Sequence, residues 1–183
     1  FSAIDTHEDN YENIGFYVTP ELPPAWFADA EKAAAGSFLK RVGFYVYSDA
    51  MRYTIEVRTG TAGPEQGQLV YTQKGVFGAD GTPAWGGYRT VNLDKYVLLP
   101  QGADYTVSVR LEDPNGKSHL IMAPQKEAPR ASVNKSYIKI GDDGVWKKAF
   151  QGKTKVQWVG DNFEIESSEL YPGSVIQREY LKA

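Results

Sequence analysis

From residue 52 to residue 59 the chain alternates, with Tyr53, Ile55 and Val57 on one side and Thr54, Glu56 and Arg58 on the other. Successive Cβ atoms of an extended chain point to opposite faces, so this rhythm predicts a strand with one buried and one wet face. Residues 104–111 repeat the design, and Tyr105, Val107, Val109 and Leu111 are expected to face inward. Asp113-Pro114-Asn115-Gly116 then supplies turn chemistry before an apolar run at 118–122, which predicts a hairpin.

Further runs rich in β-branched and aromatic residues lie at 39–47, 68–73, 88–93, 96–99, 136–140, 155–159 and 162–165. Glycine, proline and Asp-Gly steps separate them, above all at 59–67, 78–87 and 141–144. Many short strands at this spacing predict an all-β fold, an antiparallel β-sandwich. Residues 24–35 read differently, because Pro24 opens an alanine-rich body that Gly36 closes, which suits a short helix. At most that one helix is expected. Residues 123–131, with two prolines and alternating charges, read as an exposed connection between halves of the sandwich, and 174–179 as an extra edge strand.

The chain has 183 residues, enough for one domain that buries well over half of its unfolded surface without cross-links. It contains no cysteine, so disulfides, thiolate metal sites and a cysteine nucleophile are excluded. A formal charge of -3 with no basic run argues against nucleic acid and against an anionic membrane surface. No apolar stretch reaches the roughly 20 residues of a spanning helix, so membrane insertion by a helix is not expected. Residues 1–10 are too polar for a signal peptide, and the initial Phe1 suits a piece of a longer precursor or a product whose leader has gone.

The usual catalytic motifs are missing. His7-Glu8 is followed by Tyr11 where a zinc protease needs its second histidine, and the other histidine is His119. No nucleophile elbow, dinucleotide fingerprint or phosphate loop occurs. His119, beside the apolar run 120–122, reads as a structural or surface histidine rather than a triad base. Glu56, Glu112 and Glu164 fall on or beside predicted strands, where a solvated role is preferred to the paired carboxylates of glycoside hydrolysis.

Among cations calcium suits the turns best, since it takes carboxylate and carbonyl oxygens from loops. Asp80, Asp113, Asp142, Asp143 and Asp161 all fall in predicted turns, and Asp142, Asp143 and Asp161 are the metal candidates. The competing reading is local, because an aspartate in a turn accepts hydrogen bonds from its own backbone. No other cofactor is expected. Asn134-Lys135-Ser136 matches a glycosylation sequon.

Aromatic residues make up 13% of the chain, and some lie where packing does not require them. Trp85 stands between Pro83-Ala84 and Gly86-Gly87, and Tyr88 follows, so an indole and a phenol can be displayed with free faces. Sugar rings present C–H patches to such faces, while neighbouring amides and carboxylates bind hydroxyls. Trp85, Tyr88 and Asp80 are therefore the candidate ligand-binding residues. For Trp146 and Trp158, in strand-like contexts, core packing is expected instead.

Several stretches, taken together, resemble a known family. Tyr11-Glu12-Asn13-Ile14-Gly15 precedes Ala25-Trp26-Phe27-Ala28, Leu39-Lys40-Arg41-Val42-Gly43-Phe44-Tyr45 and Tyr53-Thr54-Ile55-Glu56-Val57. Gly86-Gly87-Tyr88-Arg89-Thr90-Val91-Asn92-Leu93 and Gly102-Ala103-Asp104-Tyr105-Thr106-Val107 follow, then Asp143-Gly144-Val145-Trp146 and Asn162-Phe163-Glu164-Ile165. This order resembles the lectin-like domain that follows papain-like cysteine peptidase domains in secreted bacterial and archaeal proteins.

The resemblance implies a jelly-roll-like sandwich over residues 11–166, with 1–10 a linker or processed segment and 167–183 a tail. It implies a noncatalytic module of a larger secreted or cell-surface protein, binding a glycan or cell-envelope component and covalently linked to a peptidase domain. Proteolysis does not carry over to a chain without cysteine. Trp26 and Trp146 match positions that recur with the fold, which points to core, while Glu31 and Lys32 depart from an apolar strand. Two rivals stay open: a protein-interaction or assembly module acting through loops or an edge strand, and a sandwich-fold glycan-active enzyme.

Overall fold

A computed structural model describes residues 17–33, 35–60, 63–79, 84–124, 136–148, 154–159, 162–167, 170–172 and 177–182. Its strands are β1 (Tyr17–Val18), β2 (Ala25–Lys32), β3 (Ser37–Val46), β4 (Arg52–Thr59), β5 (Gln68–Val76), β6 (Gly87–Leu99) and β7 (Asp104–Glu112). After these come β8 (Ile121–Pro124), β9 (Ser136–Ile140), β10 (Lys147–Lys148), β11 (Thr154–Val159), β12 (Asn162–Ser167), β13 (Leu170–Pro172) and β14 (Gln177–Lys182). No α-helix occurs among the described residues.

Two antiparallel sheets form the sandwich, one of six strands in the order β10-β9-β2-β7-β4-β5 and one of three in the order β14-β3-β6. Aromatic rings lock them face to face. Phe27 of β2 meets Phe44 of β3 edge-on at 6.2 Å between centroids, and Phe44 meets Tyr53 of β4 at 6.3 Å. Around these rings Leu39, Val42, Ile55, Val57, Val107 and Val109 are fully buried. The inward sets of β4 and β7 are those that the alternation predicts.

The outer side of the same strands differs from expectation. Ala28, Ala30, Thr54, Thr106 and Ser108 point away from the core yet are buried, so this face is covered rather than wet. The loop after β4 accounts for part of this, since Gly63 lies against Tyr137 of β9, beyond both β7 and β2. Small side chains on β2 and β7 leave room for it.

Residues 24–35 are not a helix. Residues 25–32 form β2, hydrogen-bonded to β7 on one edge and β9 on the other. Alanine favours a helix by only fractions of a kcal/mol per residue, and ladders on both edges, the full strand to β7 and residues 25–29 to β9, plus the burial of Phe27 outweigh that. Glu31 and Lys32 are tolerated because they end the strand, where Lys32 Nζ lies 3.5 Å from Asp104.

The turn at 113–116 forms, but the expected hairpin does not. Asp113 Oδ1 accepts the amides of Asn115 at 2.8 Å and Lys117 at 2.9 Å, and Gly116 takes φ 76°. Both edges of β7 are already paired, to β2 and β4, so the chain beyond the turn goes elsewhere. Ser118 bridges Leu22, and β8 pairs with β1 and β13.

The runs at 88–93 and 96–99 belong to one irregular strand, β6. Asn92 pairs with Arg41 and Val97 with Leu39, so four residues of β6 pass opposite Lys40 alone. In the tail, β14 pairs with β3 and forms an edge. Of the connection expected at 123–131, residues 123–124 belong to β8, and the remainder lies outside the described residues, as does Asn134 of the sequon. Trp158 lies in β11, opposite Phe163 of β12.

Candidate functional site

Trp85 is displayed because the backbone on either side of it is pinned to the turn at 47–51. Ala50 donates its amide to the Ala84 carbonyl at 2.9 Å, and the Gly86 amide donates to Asp49 Oδ1 at 3.0 Å. Gly86 packs so closely on Tyr47 that an added Cβ would stand 2.7 Å from the Tyr47 carbonyl oxygen. Gly87, at φ 116°, then starts β6. With its neighbours held this way, the Trp85 indole stays 60% exposed.

Arg89 completes the arrangement. Its guanidinium lies 5.2 Å from the centre of the Trp85 ring and donates to the carbonyls of Trp85, Gly86 at 3.3 Å and Tyr88 at 3.4 Å. Its Nε is buried without a hydrogen-bond partner among the described residues. Arg89 also lines a cleft of about 460 Å³ where the edge strands β5 and β6 of the two sheets lie side by side. Gln73, Lys74, Asn92 and Asp94 add amide and charged groups to its walls, and Tyr53 and Phe77 add aromatic ones.

Tyr88 does not join Trp85. Side chains of adjacent strand residues diverge, and Tyr88 lies across Gly43 of β3 with its ring edge-on to Tyr45 at 5.1 Å. Asp80 lies outside the described residues. Arg89, one place beyond Tyr88, is the neighbour that sequence reasoning missed, although the two-residue period of 88–93 put it on the cleft side together with Val91.

Asp142 has protein partners. Both of its oxygens accept from Arg110, Oδ1 from Nε at 2.7 Å and Oδ2 from Nη2 at 2.8 Å, and Oδ1 also accepts Trp26 Nε1 at 3.0 Å. Arg110 also reaches Glu112 at 2.7 Å. The Arg110 guanidinium, helped by Trp26, holds the Asp142 carboxyl at about 2, and Asp142 in turn raises the arginine further above its ordinary value. Asp143 is exposed, and Asp161 lies outside the described residues. Among the described residues no three His, Cys, Asp or Glu side chains gather as a metal site would require. His119 is held structurally, Nδ1 at 2.9 Å from the Thr19 carbonyl and the ring 4.4 Å from that of Tyr47.

Trp26 and Trp146 do not belong to the core between the sheets. Trp26 precedes Phe27, which points inward, so period two turns its indole to the outer face of the six-stranded sheet. There it meets Trp146 edge-on at 6.2 Å, and Lys139 Nζ lies over both rings, at 4.8 Å and 5.3 Å. Trp146 is half-buried rather than enclosed.

A family model described as a lectin-like domain matches residues 10–156 of the chain. The fold is similar to the crystal structure of the cysteine protease and lectin-like domains of Cwp84, a surface layer associated protein of Clostridium difficile, at a TM-score of 0.53 and 16% identity over 92% of this chain. The chain spans 36% of that structure's chain, and a likeness at this identity concerns the fold. No curated protein matches the sequence.

Proposed function

The chain belongs to the lectin-like domain family, and from that premise we propose that it is a noncatalytic module that binds carbohydrate at a cell envelope or surface. The observation that carries this is Trp85, an indole 60% exposed whose ring lies 5.2 Å from the guanidinium of Arg89, a residue that also lines a cleft with Asn92 and Asp94. An aromatic face takes the C–H patch of a sugar ring, and the guanidinium with the exposed Asn92 amide takes its hydroxyls. Asp142 is engaged by Arg110 and Trp26, so the proposal includes no calcium at that position.

The setting we propose is a larger exported protein, with a cysteine peptidase domain on the same chain. The Cwp84 structure, in which the two kinds of domain occur together in a surface layer associated protein, supports it. The test is a glycan array with the wild type and Trp85→Ala. Loss of signal in a variant whose stability stays within about 0.5 kcal/mol of wild type supports the proposal. An array on which the wild type retains no glycan overturns it.

One observation favours a protein-interaction module instead. β5 is an edge strand of the six-stranded sheet, and Leu69, Val70 and Val76 on it are exposed. A concentration-dependent oligomer without sugar affinity, seen by mass measurement in solution, would decide for that role. A glycan-active enzyme has less support, since Glu56 lies 3.8 Å from Arg58 and Glu112 is 2.7 Å from Arg110.

A further inference from the structure

The face of the six-stranded sheet turned away from the core carries a second aromatic cleft. It begins with register. Lys148 of β10 stands opposite Tyr137 of β9, and both side chains project outward, as Ile138, next to Tyr137 on β9, points into the core. Trp146, two places before Lys148, shares that side. The loop after β4 folds over from across the sheet, bringing Gly63 against Tyr137 and burying Pro64. Together Tyr137, Trp146, Lys148, Pro64, Glu65 and Gln66 line a space of about 410 Å³.

We propose that this cleft is a second saccharide site, for an uncharged pyranose. Tyr137 and Trp146 are both half-buried, so each keeps ring surface to stack on C–H groups. Glu65 supplies acceptors, Lys148 donors, and Gln66 both, which is what a ring of hydroxyls requires. The carboxylate and the ammonium balance each other, so the cleft selects neither an anionic nor a cationic ligand by charge. Trp146 is braced from behind by Trp26 and Lys139, so binding has little ordering to do there.

The two clefts are separate. Tyr137 is on β9 and Gln73 on β5, with β2, β7 and β4 between them, which is roughly 20 Å across the sheet. The inference adds a site to the proposed function and does not depend on Trp85. Two sites on one chain would hold a polymeric glycan more tightly than either alone, through effective concentration.

The test follows the indole N–H signals of the four tryptophans by NMR while neutral tetrasaccharides of glucose, mannose and N-acetylglucosamine are added at millimolar concentration. At least one of them should shift Trp146. Glu65→Gln, which leaves the ring packing intact, should weaken that response about tenfold and leave any Trp85 titration unchanged. A Trp146 signal that no tetrasaccharide moves overturns the inference. So does one that decaproline moves while the sugars do not, for that would mark a polyproline groove. Movement of Trp85 alone sinks this site and leaves the first, and movement of Trp146 alone does the reverse.

Discussion

Asp142 grips Arg110 with both carboxylate oxygens, at 2.7 Å and 2.8 Å, across the intervening strand that carries Trp26. The pair ties the turn after β9 to β7, and Trp26 adds its indole N–H to the same carboxylate. One side chain thus fixes the approach of the segment that bears Trp146.

The pair should be visible in acid. Hydrogen bonds from Arg110 and Trp26 lower the Asp142 pKa from 3.8 to about 2, against the opposing effect of burial. The unfolded chain takes up the proton first, so the stabilisation is complete above about pH 4 and is lost as the pH falls toward 2. The side chain is 53% exposed, so solvent screening leaves about 1 kcal/mol. Urea melts at each pH should show Asp142→Asn less stable than wild type at neutral pH by about that amount and closing on it in acid. Parallel curves for the two proteins would be the contrary result.

Gln73 is the buried staple of the irregular strand β6. Its Nε2 donates to the Asn92 carbonyl at 3.1 Å, and its Oε1 accepts from the Asp94 amide at 2.9 Å and the Tyr71 hydroxyl at 2.5 Å. Gln73→Ala strips these partners and should cost about 1–3 kcal/mol. Hydrogen exchange at the Asp94 amide should accelerate more than exchange in β4, and equal acceleration would count against a local staple.

Gly86 has no room for a side chain, because the contact it would make is with the Tyr47 backbone rather than a movable group. Gly86→Ala should therefore cost about 1–3 kcal/mol. It should also alter Trp85 fluorescence, since the segment must lift from the turn at 47–51. Unchanged thermal stability and emission would show that the backbone gives way freely.

Asp113 organises its turn through the Asn115 and Lys117 amides. Asp113→Ala should cost about 1 kcal/mol, while Asp113→Asn, which keeps the acceptor, should retain most of the stability. Equal losses in denaturant would mean that the turn does not rest on these hydrogen bonds.

Much of the architecture was legible residue by residue. The alternation at 52–59 and 104–111 named the inward sets of β4 and β7, and the Asp113 turn formed where its residues require. The strand at 25–32 was not legible, because alanine propensity is local whereas the ladders to β7 and β9 come from residues about 80 and 110 positions away. The hairpin expectation failed for a related reason: a turn reverses the chain but does not reserve the edge beside it.

The candidate site divides in the same way. Trp85 stood out in a glycine-rich segment, and its exposure agrees with that context. Its partnership with Arg89 depends on how the chain wraps around the ring. Trp146 looked like core from its strand-like surroundings, and only the sheet order puts it on the outer face beside Tyr137 and the loop bearing Glu65.

By itself the sequence determined a chain dominated by strands, the faces that β4 and β7 turn to the core, the positions of its turns and the lack of thiol chemistry, because period, turn residues and composition act over a few neighbouring residues. The tertiary structure alone decided which strands pair, which outer faces are covered and which aromatic rings share a cleft with polar groups. Those outcomes arise from contacts between distant segments, and no local pattern encodes which segments will meet.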